Sequence, residues 1–215
     1  MRPQGSLREA GNPGTLTGRL RELAGGDYAL RAAVAAVAVI AHARLNPPMP
    51  ETCPAYVALG SNLNDPAAQI ERAINALADL PESRLLRCSR LYVSPPMGPQ
   101  DQPDYVNAVV QLETSLEPFA LLDALQAIEA AQGRTRTGQR WGARTLDLDL
   151  LLLGDLMHDD PRLTLPHPGM HERDFVLYPL AEIAPQLKIP GLAPINELLA
   201  QCPVRGLRPL DRADD

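Results

Sequence analysis

The chain has 215 residues, 45% hydrophobic and only 4% aromatic, with a net charge of −6 and a pI near 5.2. That length holds one domain with a substantial core plus an appendage, and the acidity excludes a general nucleic-acid or membrane-surface binder. Three widely separated cysteines, Cys53, Cys88 and Cys202, offer neither zinc spacing nor a disulfide framework, so a reducing cytoplasm is the expected compartment.

Residues 1–50 differ from the rest. A Gly-, Arg- and Pro-rich start leads into "YALRAAVAAVAVIAHARL", an alanine-rich stretch that favours helix. Its apolar part, Ala32–Ala41, is too short to span a bilayer. A signal-peptide core is the competing reading, since "AHA" resembles a cleavage site, but the segment starts late and follows Asp27. "NPPMP" then reads as a linker, and Met49 is an alternative start. We expect an N-terminal extension over 1–50, disordered or partly helical, and a second domain over 51–215.

From Ala55 the pattern sharpens. "YVAL" predicts a strand running into a tight turn at "GSN". Asn64 or Asp65 then caps a helix with Pro66 at its first position and Ile70, Ala73, Ile74 and Leu77 on its apolar side. Strands are predicted over Leu85–Val93 and Tyr105–Leu112. Pro118 opens a second helix striped by Phe119, Leu122, Leu125 and Ile128 and ended by Gly133. Leu146–Leu153 is a further strand, and "ERDFVLYPLAEI" and "INELLAQ" are short helical pieces. The order β-α-β-β-α-β predicts an α+β, ferredoxin-like antiparallel sheet with its helices on one face.

Within "RWGARTLDLDLLLLG", Asp147 and Asp149 fall on one face of a strand, with Cα atoms about 7 Å apart. Like charges so placed repel and call for cations. Hard carboxylate oxygens suit Mg²⁺, which takes one or two carboxylates plus substrate phosphates, although Asp-x-Asp alone also fits a solvated strand face. Just upstream, "GRTRTGQRWGAR" carries Arg134, Arg136, Arg140 and Arg144 and no acid. Guanidinium forks match phosphate oxygens, and Trp141 offers a flat face to a heteroaromatic ring. Cations beside a dicarboxylate are what phosphoryl-type transfer needs. Neither GxxxxGK[ST] nor GxGxxG occurs, so a nucleotide is held in another way.

"SPPMGPQDQPDYVNA" is a proline-stiffened loop entering a strand, with Tyr105 and Asn107 on one face. Asn107 has the donor and acceptor to pair with an amide-like ring edge. "LTLPHPGMHERDFVLYPL" supplies His167, His171, Arg173 and Phe175. The histidines lack a convincing ligand spacing for metal, and His167 and Arg173 fit phosphate or ribose contacts better.

Together "ALGSNL", "SPPMGPQDQPDYVNAV", "GRTRTGQRWGARTLDLDLLLLG" and "PHPGMHERDFVLYPL" resemble the 6-hydroxymethyl-7,8-dihydropterin pyrophosphokinase family in order and spacing, from Tyr56 to about Pro190. The resemblance implies transfer of the β,γ-pyrophosphoryl group of ATP to the pterin's hydroxymethyl oxygen with release of AMP, in folate biosynthesis, by a monomer with a ferredoxin-like fold. It implies two Mg²⁺ ions on Asp147 and Asp149, with Arg134 and Arg144 also catalytic. It puts Gln126, Glu129, Arg136, Arg140, Trp141, Leu148, Arg162, Thr164, His167 and Arg173 at the ATP site. It puts Gly60, Ser94, Pro95, Pro96, Met97, Tyr105, Asn107, Trp141 and Phe175 at the pterin site. Met97, Ala143 and Gly169 depart from the residues common there. No nucleic-acid or membrane partner is expected. Without the resemblance, a nucleotidyltransferase, a non-catalytic binding module and an RNA-binding protein remain alternatives, against which the pterin-type loop, the complete acid and arginine set and the acidity respectively weigh.

Overall fold

In the computed structural model, residues 51–134 and 142–211 are described. The chain begins with β1 (Cys53–Ser61), α1 (Pro66–Ala78), β2 (Ser83–Cys88), β3 (Tyr92–Ser94), β4 (Tyr105–Thr114) and α2 (Pro118–Ala131). It continues with β5 (Asp147–Leu153), β6 (His158–Asp160), β7 (Leu163–Leu165), a 3₁₀ turn at Met170–Glu172, α3 (Asp174–Ile183), α4 (Ile195–Gln201) and β8 (Arg208–Pro209).

Local chemistry starts and stops the helices as the sequence predicts. Asp65 caps α1, its side chain accepting the Ala68 N–H at 3.3 Å, and Pro66 opens the first turn. Pro118 opens α2. Gly133, at φ 79°, closes α2 in the left-handed region, with the Gly133 N–H on Ala130 O and the Arg134 N–H on Glu129 O. That paired arrangement reverses the chain and satisfies two end carbonyls.

The main sheet runs β5-β1-β4-β3-β8, with β2 also on β4, and all its described pairings are antiparallel. The split βαβ order is present, with two differences from the predicted elements. β1 continues through Gly60 and Ser61, because both pair with β4, and the turn comes at Asn64–Asp65. The strand predicted over Leu85–Val93 is two, broken at Ser89, whose hydroxyl accepts the Val109 N–H at 3.0 Å where the ladder lapses.

The layering also differs from a sheet covered on one face. Val57 and Leu59 of β1, Ala108 and Val110 of β4, and Leu148 and Leu150 of β5 pack with Ile70, Leu77, Leu121 and Leu125 of α1 and α2. The other face, through Tyr56, Val109 and Leu152, packs with Val176, Leu177 and Leu180 of α3 and with Ile195 and Leu198 of α4. α3 and α4 are short, and their apolar sides read from sequence as local patches rather than as a layer. The register of β5 shifts opposite Tyr56 and Val57, which pair with Leu152 and Leu150. Leu151 is thus an extra residue in a β-bulge, and it joins Leu152 in the α3 layer.

Burial ranks the core. Leu125 is fully buried between α2 and the sheet. Leu125→Ala is expected to cost about 2–5 kcal/mol through lost transfer energy and the cavity left behind, whereas Leu86→Ala, at a position 39% exposed, stays within about 0.5 kcal/mol. Urea unfolding monitored by circular dichroism measures both, through the midpoint at constant slope.

Candidate active site

Strand register brings the predicted residues together. Asp147 pairs with Gly60, which pairs with Asn107, so these three lie in a row across β5, β1 and β4. Asp149 pairs with Ala58, one step along the same face. A side chain at position 60 would rise between Asn107 Oδ1, 3.5 Å from an added Cβ, and Asp147, so glycine keeps the middle of this row open.

Two cavities meet at this row. One has an empty volume of about 640 Å³ and is mostly apolar, lined by Gly60, Ser94, Pro95, Met97, Tyr105, Asn107, Phe175 and Val176. The other, about 750 Å³, is polar, lined by Gln126, Glu129, Arg134, Arg162, Thr164 and His167. Asp147 and Asp149 line both.

The charges around the pair are arranged residue by residue. The turn after α2 drops Arg134 back onto the buried Glu129 and onto Asp147. Glu129 also accepts the Leu148 N–H at 2.8 Å, tying the end of α2 to the start of β5. Arg144 pairs with the other oxygen of Asp147. His167 Nε2 lies 3.8 Å from Asp149, and Arg173, at the entry to α3, lies 3.9 Å from it. The Asp149 side chain opens to the cleft, 37% exposed, but protein crowds it on its other sides. Burial first, then the Asp147 charge, push its carboxyl above the ordinary range, against the pull of His167, Arg173 and Arg134. Burial likewise holds the His167 imidazole below its ordinary value. Its Nδ1 is buried without a hydrogen-bond partner.

Several residues that sequence reasoning did not select hold the site's loops. Asn62, 1% exposed, accepts the Arg144 N–H on Oδ1 at 2.8 Å. Through Nδ2 it donates to Gln102 Oε1 and to Pro103 O, each at 3.1 Å. Ser61 Oγ donates to Thr145 O at 2.6 Å, and Tyr105 OH donates to Gly142 O at 3.0 Å. Asn62 and Ser61 therefore fasten the stretch before β5 to the end of β1 and to the proline-rich loop. Their signal in the sequence is a polar "SN" continuing an apolar strand, a pattern that also fits a tight turn.

The remaining candidates divide. Ser94 Oγ accepts from Asn107 Nδ2 at 2.9 Å, which fixes the amide's orientation in the apolar cavity. Pro96 is buried behind that cavity, and its carbonyl accepts from Gln100 at 2.8 Å. Leu148 faces the core rather than either cavity. Arg173 lines the apolar cavity and not the polar one. Arg162 is held at the groove's edge by Asp123 at 2.7 Å and by the Phe119 ring, 5.2 Å from its guanidinium carbon. Arg136, Arg140 and Trp141 lie outside the described residues. Among the described residues, no three His, Cys, Asp or Glu side chains cluster as a ready-made metal cage, and no helix is long and apolar enough to cross a membrane.

Comparison with known proteins gives this geometry a context. Residues 56–185 match the family model described as 7,8-dihydro-6-hydroxymethylpterin-pyrophosphokinase (HPPK). The chain is 56% identical over 158 residues to the 2-amino-4-hydroxy-6-hydroxymethyldihydropteridine pyrophosphokinase of Pseudomonas aeruginosa, covering 74% of this chain and 97% of that protein. It is 54% identical over 147 residues to the protein of the same name from Haemophilus influenzae, covering 68% and 91%. Its fold is similar to the crystal structure of Plasmodium falciparum HPPK-DHPS wild type with pteroate. The TM-score is 0.56 at 16% identity, over 70% of this chain and 42% of that one, a likeness that bears on the fold alone. With the family model matched over more than half its length and two named relatives covered almost end to end, this chain belongs to the 7,8-dihydro-6-hydroxymethylpterin-pyrophosphokinase family.

Proposed function

We propose that this chain is an ATP-dependent diphosphotransferase of folate biosynthesis. It transfers the pyrophosphoryl group of ATP to the hydroxymethyl group of 6-hydroxymethyl-7,8-dihydropterin, giving AMP and the pterin diphosphate. One observation carries this reading: the aspartate pair lies where an apolar cavity and an arginine-lined polar cavity meet. The apolar side suits a flat bicyclic ring, with Phe175 as a stacking face and the oriented Asn107 amide at its edge. The polar side suits a triphosphate, with Arg134, Arg162 and His167 along it.

The hydroxymethyl oxygen attacks the β-phosphorus in line, its proton passing to solvent. The bond from the β-phosphorus to the oxygen shared with the α-phosphate breaks, and AMP leaves. The chain's part is positioning and charge. Arg134 and Arg144 exchange Asp147 for phosphate oxygens, while Asn107 and Ser94 fix the ring. The donor set fits Mg²⁺: two carboxylates on one strand face, one of them held above its ordinary pKa range by burial and by the charge of the other. Asp147 and Asp149 would hold the metal, for which we propose two ions. When bound, Mg²⁺ neutralises phosphate charge and polarises the phosphoryl oxygens.

The same reading extends to the chain's organisation. A catalytic domain over 51–215, following an extension over 1–50, is supported by the family match from residue 56 and by the compact unit Met49–Asp215. Action as a monomer rests on the family resemblance. A cytoplasmic setting is supported by the cysteine usage, since Cys53, Cys88 and Cys202 lie too far apart in sequence to suggest a disulfide framework.

Purified protein supplied with ATP, Mg²⁺ and the dihydropterin is expected to release AMP one-for-one with pterin diphosphate. Free pyrophosphate or ADP as the nucleotide-derived product would overturn the assignment. Asp149→Asn is expected to lower AMP release by roughly a thousandfold, and near-normal turnover by this variant would refute the metal role. Asn62→Ala is expected to cost about a hundredfold in kcat through misplacement of Arg144. Its pterin Kd is expected to rise less than kcat falls, since Asn62 also holds the proline-rich loop, as measured by single-turnover kinetics beside equilibrium binding.

A further inference from the structure

The segment after α4 lies beyond the family match, which ends at residue 185, and it reaches the back of the apolar cavity from two directions. On one side β8 pairs with the edge of β3, Arg208 opposite Val93, and the Leu210 N–H donates to Leu91 O at 2.8 Å. Just before β8, Gly206 lies against the Pro95 ring: an added Cβ would stand 3.2 Å and 3.3 Å from its Cδ and Cγ. The Gly206 φ of 86° is also one that side chains rarely adopt. On the other side, the Arg205 N–H donates to Asp174 Oδ2 at 2.6 Å. Asp174 is 5% exposed, and its other oxygen accepts the N–H of Phe175 at 2.9 Å.

Pro95 and Phe175 both line the apolar cavity. Two adjacent residues of the tail thus reach both walls, Gly206 against the Pro95 ring and Arg205 through its N–H on the buried Asp174 carboxylate next to Phe175. We propose that residues 203–210 are a cross-brace that sets the separation of these walls, and that Asp174 and Gly206 are positioning residues for the pterin ring. This rests on the reading of that cavity as the pterin site. Neither residue is among those lining the phosphate side: among the described residues, the polar cavity is lined from α2 and the turn after it, β5 and the 160–168 stretch. The brace therefore acts on one substrate and not on the other.

Equilibrium binding of 6-hydroxymethyl-7,8-dihydropterin and, separately, of MgATP to the full chain tests this. Asp174→Asn keeps the volume and one acceptor but loses the charge and sets an amide against a backbone N–H. Gly206→Ala perturbs the opposite anchor, and both variants would first be checked for native circular dichroism. Each is expected to weaken pterin binding about tenfold, the scale of one charge-assisted hydrogen bond, while MgATP binding stays within about twofold. Equal weakening of both ligands, or unchanged pterin binding in either folded variant, would overturn the brace. If the unaltered chain bound MgATP but no pterin, the pocket assignment would fall first and the proposal with it.

Discussion

Two carboxylates two residues apart on one strand face are the constraint around which this molecule is arranged. Left alone in a crowded cleft they repel, and burial together with that repulsion holds the Asp149 carboxyl above its ordinary range. Each neighbouring feature brings positive charge to them by a different route. The left-handed turn at Gly133 returns Arg134 to Asp147. The Asn62 side chain captures the Arg144 backbone, so that its guanidinium reaches the same carboxylate. The entry to α3 supplies Arg173, while the chain after β7 sets beside Asp149 the His167 imidazole, whose charged form burial disfavours.

The two cavities differ because the elements bordering them differ. The apolar one is bounded by the β4 face, the proline-rich loop and the start of α3, all with ring or aliphatic surfaces. The polar one is bounded by the end of α2 and the β6–β7 hairpin region, where charged side chains are held by partners such as Asp123 and Glu129. A reacting hydroxyl and a triphosphate can therefore approach from opposite sides and meet over one pair of acids. The layer of α3 and α4 matters for this, since without it the face bearing the aspartates would have no second wall.

Much was legible in the sequence wherever the chemistry is local. Period-two alternation put Asp147 and Asp149 on one face, and Pro66, Asp65, Pro118 and Gly133 marked helix ends, because capping and backbone preference act within a few residues. Among the residues lining the two cavities, Tyr105, Asn107, Arg134, Arg144, His167 and Phe175 stand out by type and spacing, while Gly60, Ser94, Gln126, Glu129, Arg162 and Thr164 are implied only by the family resemblance. Tertiary structure alone decided other things. Asn62 is a buckle only because residue 144 comes back to it from 82 positions away. Leu151 leaves the alternation because β1 and β5 pair with one residue too many. Ser89 marks the break between β2 and β3, where its hydroxyl takes the Val109 N–H while its own N–H still donates to Val109 O. The tail braces the ring pocket because β8 finds the free edge of β3. Such contacts depend on register and on which surfaces meet, which no local period encodes, so the residue types of the site were determined by sequence and their convergence by the fold.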